Sequence, residues 1–238
     1  MLNIIILTAY PDMFPGNLSH SLMGKALKEK IYTINPINLH DFGVDNRKSI
    51  DDEPFGGGPG MILRPDVVEK ALLSIPNQQN LKSAKIYLTP SGTLLNQGKL
   101  AVFSKLDQII ILCGRFEGVD QRAIDVLGFE EISIGDYILA GGEIAAQVLL
   151  EGCIRLIPGV LGHPESLLEE SFSNNLLEYP QYTRPQVWED HQGMEYEVPA
   201  VLTSGHHENI KKWRLNKSVE KTKKIRPDLY IKKEQEQD

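Results

Sequence analysis

Short apolar runs rich in isoleucine alternate along this chain with stretches whose apolar residues recur every three or four positions. Asn3–Thr8 is one such run, closed by Pro11, and Gln108–Cys113 is another, apolar without a break after its first residue. Tyr32–Leu39 predicts a further strand, which Pro36 confines to an edge or a bulge. Ala84–Thr89 predicts a strand stopped by Pro90-Ser91-Gly92, and Glu130–Ile134 a short one. Helical spacing marks Asn17–Lys30, Pro65 to about Ile75, Asn96–Leu106, Val119–Leu127 and Glu143–Ile157. Pro65 takes the first helical position, where a missing N–H costs nothing. Strands apolar throughout and alternating with helices predict an α/β fold, a parallel sheet covered by helices on both faces.

Such sheets bind ligands at the carboxyl ends of their strands. Three loops leave a predicted strand through glycine: Thr89–Gly92, Gly114–Gly118 and Gly135–Gly142. They are expected to converge on one edge. Tyr137, Ile138 and Leu139 would wall an apolar slot there, which suits an adenine ring read by backbone hydrogen bonds. The usual nucleotide signatures, Gly-x-Gly-x-x-Gly after a strand and Gly-Lys-Ser/Thr, do not occur. The loop Gly56-Gly57-Gly58-Pro59-Gly60 has no lysine partner, and reads as a flexible turn unless a site demands close backbone approach. His206 and His207 are adjacent, and the cysteines stand forty residues apart, so no structural zinc site is expected. Cys113, at the end of an apolar strand, reads as a buried inert thiol.

Composition narrows the class. The 238 residues are 41% apolar and 24% charged, ordinary for a globular chain with a real core. Two cysteines, Cys113 and Cys153, predict a reducing, cytoplasmic setting. No apolar run approaches the length a membrane span needs, so no membrane partner is expected. Met1–Leu7 lacks a basic leader region and reads as a first core strand. The net charge of −7 speaks against a nucleic-acid partner until its distribution is examined. Between Gly205 and Lys233 stand ten Lys/Arg against three Asp/Glu, or +7, which leaves −14 on the rest. A basic end on an acidic body is the asymmetry of a chain that grips a polyanion. From Pro158 to about Tyr182 the alternation stops, and beyond it Glu208–Thr222 predicts a basic helix. The division expected is 1–160, a linker over 161–182, and a small helical domain over 183–238.

Several segments carry a resemblance. They are Asp51–Met61 (DDEPFGGGPGM), Tyr87–Pro90 (YLTP), Cys113–Asp120 (CGRFEGVD), Ser133–Tyr137 (SIGDY), Arg155–Gly162 (RLIPGVLG), Tyr182–Pro185 (YTRP), Ser204–His206 (SGH) and Trp213-Arg214. In this order, from Leu7 to about Thr222, they resemble the bacterial tRNA (guanine-N1)-methyltransferases that modify guanosine 37, beside the anticodon. The resemblance implies the knotted (SPOUT) class, with a deep trefoil knot that periodicity does not reveal, since knots are nearly absent from ordinary folds. It implies S-adenosyl-L-methionine held by Tyr87, Leu88, Pro90 and Gly114, by Ser133, Ile134, Gly135, Asp136 and Tyr137, and by Ile138, Leu139, Gly141 and Gly142. It also implies a homodimer with a shared active site, a C-terminal helical domain that grips tRNA, and dependence on Mg²⁺ through ligands the sequence does not identify.

The chemistry is definite. Guanine N1 carries a proton, so a base must remove it as the methyl group is attacked, and a fixed cation must face the charge that builds on O6. The family uses an Asp and an Arg. The Arg matches Arg155, but the Asp before Ser-Phe is replaced here by Glu170. Glutamate keeps a carboxylate of similar acidity, ~4.3 against ~3.9. Its extra methylene adds ~1.3 Å of reach, where misplacement on the order of 1 Å can cost about 100-fold in rate. Glu170 is therefore assigned as the base, with Glu169 in reserve, and Glu117 matches a further carboxylate close to the site. The alternative is a non-catalytic RNA-binding protein of the same fold. A small-molecule α/β enzyme is disfavoured by the basic terminus.

Overall fold

The structure, a computed structural model, describes residues 1–76, 80–162 and 170–235. Two compact units divide the chain, Met1–Gly162 and His163–Asp238. The first runs β1 (Leu2–Thr8), α1 (Ser21–Lys28), β2 (Tyr32–Asn38), β3 (Asp51–Asp52), β4 (Ile62–Leu63) and α2 (Pro65–Leu73). It continues with β5 (Ser83–Leu94), α3 (Gln97–Phe103), β6 (Gln108–Cys113), α4 (Gln121–Leu127), β7 (Glu130–Ser133) and α5 (Gly142–Ile154). Five strands form one parallel sheet in the order β2-β1-β6-β5-β7, and β3 and β4 pair separately.

Strand side chains alternate between two apolar layers, as the period of two requires. Ile4, Ile6, Ile86, Ile109 and Ile111 face one way, onto α1, α3 and α5. Ile5, Leu7, Tyr87, Ile110 and Leu112 face the other, onto α2 and α4. This double burial is why the strands are apolar throughout. Pro36 lies in β2, at the sheet edge, where its missing N–H breaks no ladder bond.

Two expected elements differ. The helix over Asn17–Lys30 is a 3₁₀ turn, Gly16–Ser19, followed by α1. The fully buried Tyr32 hydroxyl lies 3.2 Å from the Leu18 carbonyl and 3.1 Å from that of Met23, and so occupies a carbonyl that a continuous helix would use itself. Nor does the strand expected over Ala84–Thr89 stop at Pro90. β5 runs on to Leu94 through a bulge, with both Leu88 and Thr93 opposite Ile132. Proline fits at such an irregularity. Gly92 is needed there, because a Cβ would sit 2.4 Å from the Ile132 nitrogen.

The second unit holds a hairpin, β8 (Val187–Glu189) with β9 (Glu195–Glu197), then α6 (Ala200–Thr203), α7 (His207–Ile225) and α8 (Pro227–Gln235). The long α7 buries only Ser218 and Thr222. Thr222 donates its hydroxyl to the Ser218 carbonyl and accepts from the Leu177 N–H at 2.8 Å, which fastens the segment before the hairpin to the helix.

Candidate functional site

β6, β5 and β7 are neighbours in the sheet, and their carboxyl-end loops enclose a cavity of about 270 Å³. Tyr87, Leu88 and Pro90 reach it from β5, and Gly114 with Arg115–Gly118 from the exit of β6. The exit of β7 supplies Ser133, Ile134, Gly135 and Tyr137, then Ile138 and Leu139, and finally Gly141 and Gly142 at the start of α5. Of the residues expected around a methyl donor, Asp136 alone does not line this space and is exposed to solvent.

The glycines are demanded by the protein itself. A Cβ at Gly114 would sit 2.9 Å from the Tyr87 ring, and one at Gly142 2.9 Å from Cys113 Cα. At Gly141 it would meet Arg115 Nε at 2.4 Å. Gly135, at φ +150°, has the Tyr137 ring 2.5 Å from its Cβ position, and the Ser133 hydroxyl holds that turn from both sides. The Gly142 N–H donates to the Gly114 carbonyl at 2.9 Å and stitches the two exits together. Burial pushes the Tyr87 hydroxyl pKa upward, so the ring beneath the cavity stays neutral.

Glu117 stands on the β6 exit loop, exposed at the cavity. Its N–H donates to the Met61 carbonyl at 2.9 Å, the Leu63 N–H to Gly118, and the Asp120 N–H to Leu63. The C-terminal end of the loop that reads as a flexible turn in the sequence is thereby fixed to the site at Met61 and Leu63. Gly56, Gly57 and Gly58 have open space at their Cβ positions, whereas Gly60 is pressed against Glu117.

Arg155 caps the C-terminal end of α5, half-buried in the first unit. Glu170 is half-buried in the second unit, and Glu169 lies outside the described residues. Among the described residues no group of three or more His, Cys, Asp and Glu gathers as a metal cage. Cys113 and Cys153 are both buried, and burial raises both thiol pKa values, Cys153 to about 12.

One pair escapes sequence reasoning. Glu143, in the first turn of α5, is 1% exposed and lies 2.9 Å from Arg115 Nε, twenty-eight residues earlier in the chain. An acid in a first helical turn ordinarily reads as a partner for the helix dipole, so the sequence held no signal for this pairing.

The family model described as tRNA (Guanine-1)-methyltransferase TrmD matches residues 2–232. Curated proteins named tRNA (guanine-N(1)-)-methyltransferase are similar over nearly the whole chain. That of Ehrlichia canis is 48% identical, across 96% of this chain and 95% of its own. That of Rhodospirillum rubrum is 48% identical, across 97% and 93%. That of Wolbachia pipientis wMel is 50% identical, across 95% and 94%.

Proposed function

The chain belongs to the tRNA (guanine-N1)-methyltransferase family, and on that premise we propose that it methylates N1 of guanosine 37 of tRNA, with S-adenosyl-L-methionine as the methyl donor. The observation that carries the reading is the match over residues 2–232. The relatives bear an enzyme's name, which favours catalysis over a non-catalytic RNA-binding role.

The cavity fits such a donor. Ile134, Ile138 and Leu139 offer apolar contact to an adenine, while the backbone of the strand-exit loops that line the cavity offers polar contacts to its edge. When bound, the donor supplies an electrophilic methyl group on a cationic sulfur. Guanine N1 lies on the Watson–Crick edge, so the base must leave its stack to be reached. Glu170 then takes the N1 proton, Arg155 faces the charge that grows on O6, and Glu117 helps to orient the reacting groups. The described residues provide no protein cage for Mg²⁺, so a magnesium ion, which keeps most of its waters, is part of the reading only as an aid whose ligands are unassigned.

In this reading residues 1–160 carry catalysis around a trefoil knot, 161–182 connect, and 183–238 grip tRNA phosphates. The placement of the cavity in the first unit and of the ten cations in the second supports that division. The reading includes a homodimer with a shared site. Ile144 and Val148, one turn apart on α5 and about half exposed, are an apolar strip that a second copy would cover. No described helix is long and apolar enough to cross a membrane, and a tRNA substrate fits a cytoplasmic setting. A tRNA transcript carrying adenosine at position 37 tests the position: it should accept no methyl group, and acceptance equal to that of the guanosine transcript would refute the assignment.

A further inference from the structure

Four residues close a ring beneath the cavity. The Tyr10 N–H donates to Thr8 Oγ1 at 3.0 Å, and the Thr8 hydroxyl donates to Glu143 Oε1 at 2.8 Å. Glu143 Oε2 lies 2.9 Å from Arg115 Nε, an ion pair whose N–H is not aligned for a hydrogen bond. The Arg115 guanidinium then lies over the Tyr10 ring, 4.3 Å from its centroid, which returns the chain of contacts to its start. Thr8 ends β1 and Tyr10 follows it, Arg115 follows β6, and Glu143 stands in the first turn of α5. The ring thus adds side-chain ties among the end of β1, the exit of β6 and the start of α5, beside the Gly142–Gly114 backbone bond.

Two further contacts give the ring a direction. Arg115 Nη1 donates to the Ala140 carbonyl at 3.4 Å, and its Nε fills the place a Cβ would take at Gly141. Ala140, Gly141 and Gly142 form one wall of the cavity, and Arg115 lines the cavity with its side chain 19% exposed. We propose that Arg115, anchored by Glu143, is a positioning residue that sets the Ala140–Gly142 wall at the distance the methyl donor needs. This rests on the donor reading of the cavity. Stability alone does not account for the pair, because the desolvation cost of two buried charges commonly cancels their attraction. A guanidinium fits where an ammonium does not: the role uses its plane on Tyr10 and its edge on Ala140 at once.

The test measures the dissociation constant for S-adenosyl-L-methionine by calorimetry, beside the melting temperature, in full-length variants. Arg115→Lys keeps a charge opposite Glu143 but loses the plane and the fork, and should weaken donor binding by about tenfold or more. The double variant Arg115→Met with Glu143→Gln removes both charges at similar bulk, so it should melt near wild type and still bind the donor weakly. In turnover with tRNA, the KM for the donor should rise more than kcat falls. Recovery of wild-type affinity in the double variant would show a purely structural pair and overturn the role. If Arg115→Lys does not fold, Thr8→Val, which deletes both hydrogen bonds of the Thr8 hydroxyl at constant shape, decides: weakened donor binding supports the brace and unchanged binding refutes it. A wild-type protein that binds the donor but forms no 1-methylguanosine would overturn the proposed function and leave the positioning role standing.

Discussion

Gly60 lies so close to Glu117 that a Cβ at residue 60 would stand 2.3 Å from Glu117 Cγ and 2.6 Å from Oε1. The glycine also holds φ at +87°, a conformation other residues enter only under strain. Gly60→Ala should therefore cost about 1–3 kcal/mol of stability through the backbone. By displacing the Glu117 carboxylate it should also slow methyl transfer, where misplacement of about 1 Å costs on the order of 100-fold. Gly57→Ala is the control: its φ is +77° but no atom lies within 4 Å of its Cβ position. It should share the strain and keep the rate. Equal single-turnover rates in the two variants would break the link between this loop and Glu117.

Glu170→Gln removes a proton acceptor and keeps the side chain's shape. Single turnover should fall by about 10²–10⁴-fold, the usual worth of a positioned base, with donor affinity nearly unchanged. Glu170→Asp should also slow the reaction, if the surroundings have adjusted to the longer side chain. Arg155→Lys should damage turnover by losing the planar fork. Near-normal rates in Glu170→Gln together with a collapse in Glu169→Gln would move the base by one residue.

The sheet is readable from the sequence because burial on both faces leaves strands such as Gln108–Cys113 apolar throughout, and that element has the expected bounds. The bulged continuation of β5 is not, because Pro90 and Gly92 ordinarily end a strand; only the two-to-one pairing on Ile132 explains them. At the site, the glycine-marked loops are legible, but the reason for the glycines is not. Room for a ligand is the natural expectation, whereas Arg115, Tyr87 and Tyr137 occupy the Cβ positions of Gly141, Gly114 and Gly135. The Arg115–Glu143 pair leaves no trace in the sequence, since its partners meet only once β6 and β7 lie in one sheet. The β8–β9 hairpin is equally silent, its strands being three residues each and wholly exposed.

Lys211, Lys212 and Lys224 are exposed on α7. Replacing all three with alanine should lower tRNA affinity at low salt. It should also flatten the log–log dependence on salt by about 0.7–0.9 for each phosphate that is no longer neutralised. Donor binding should stay as in wild type. A salt slope identical to wild type would show that this helix does not hold the phosphates.

Burial holds Cys153 and Tyr32 protonated, each with a pKa pushed to about 12 from ordinary values of 9.0 and 10.0. The folded chain keeps these protons where the unfolded chain releases them, so this stability is fully present below pH 9 and is lost as the pH rises toward 12. Urea midpoints should decline with pH across that interval, and Cys153→Ala and Tyr32→Phe should each flatten the decline. A slope the same in both variants as in wild type would refute the assignment.

The central claim is the reaction itself. Purified protein incubated with methyl-labelled S-adenosyl-L-methionine and unmodified tRNA, followed by nucleoside mass spectrometry, should place the label in 1-methylguanosine and in no other nucleoside. Label absent from tRNA, or carried by a different methylated nucleoside, would contradict the account.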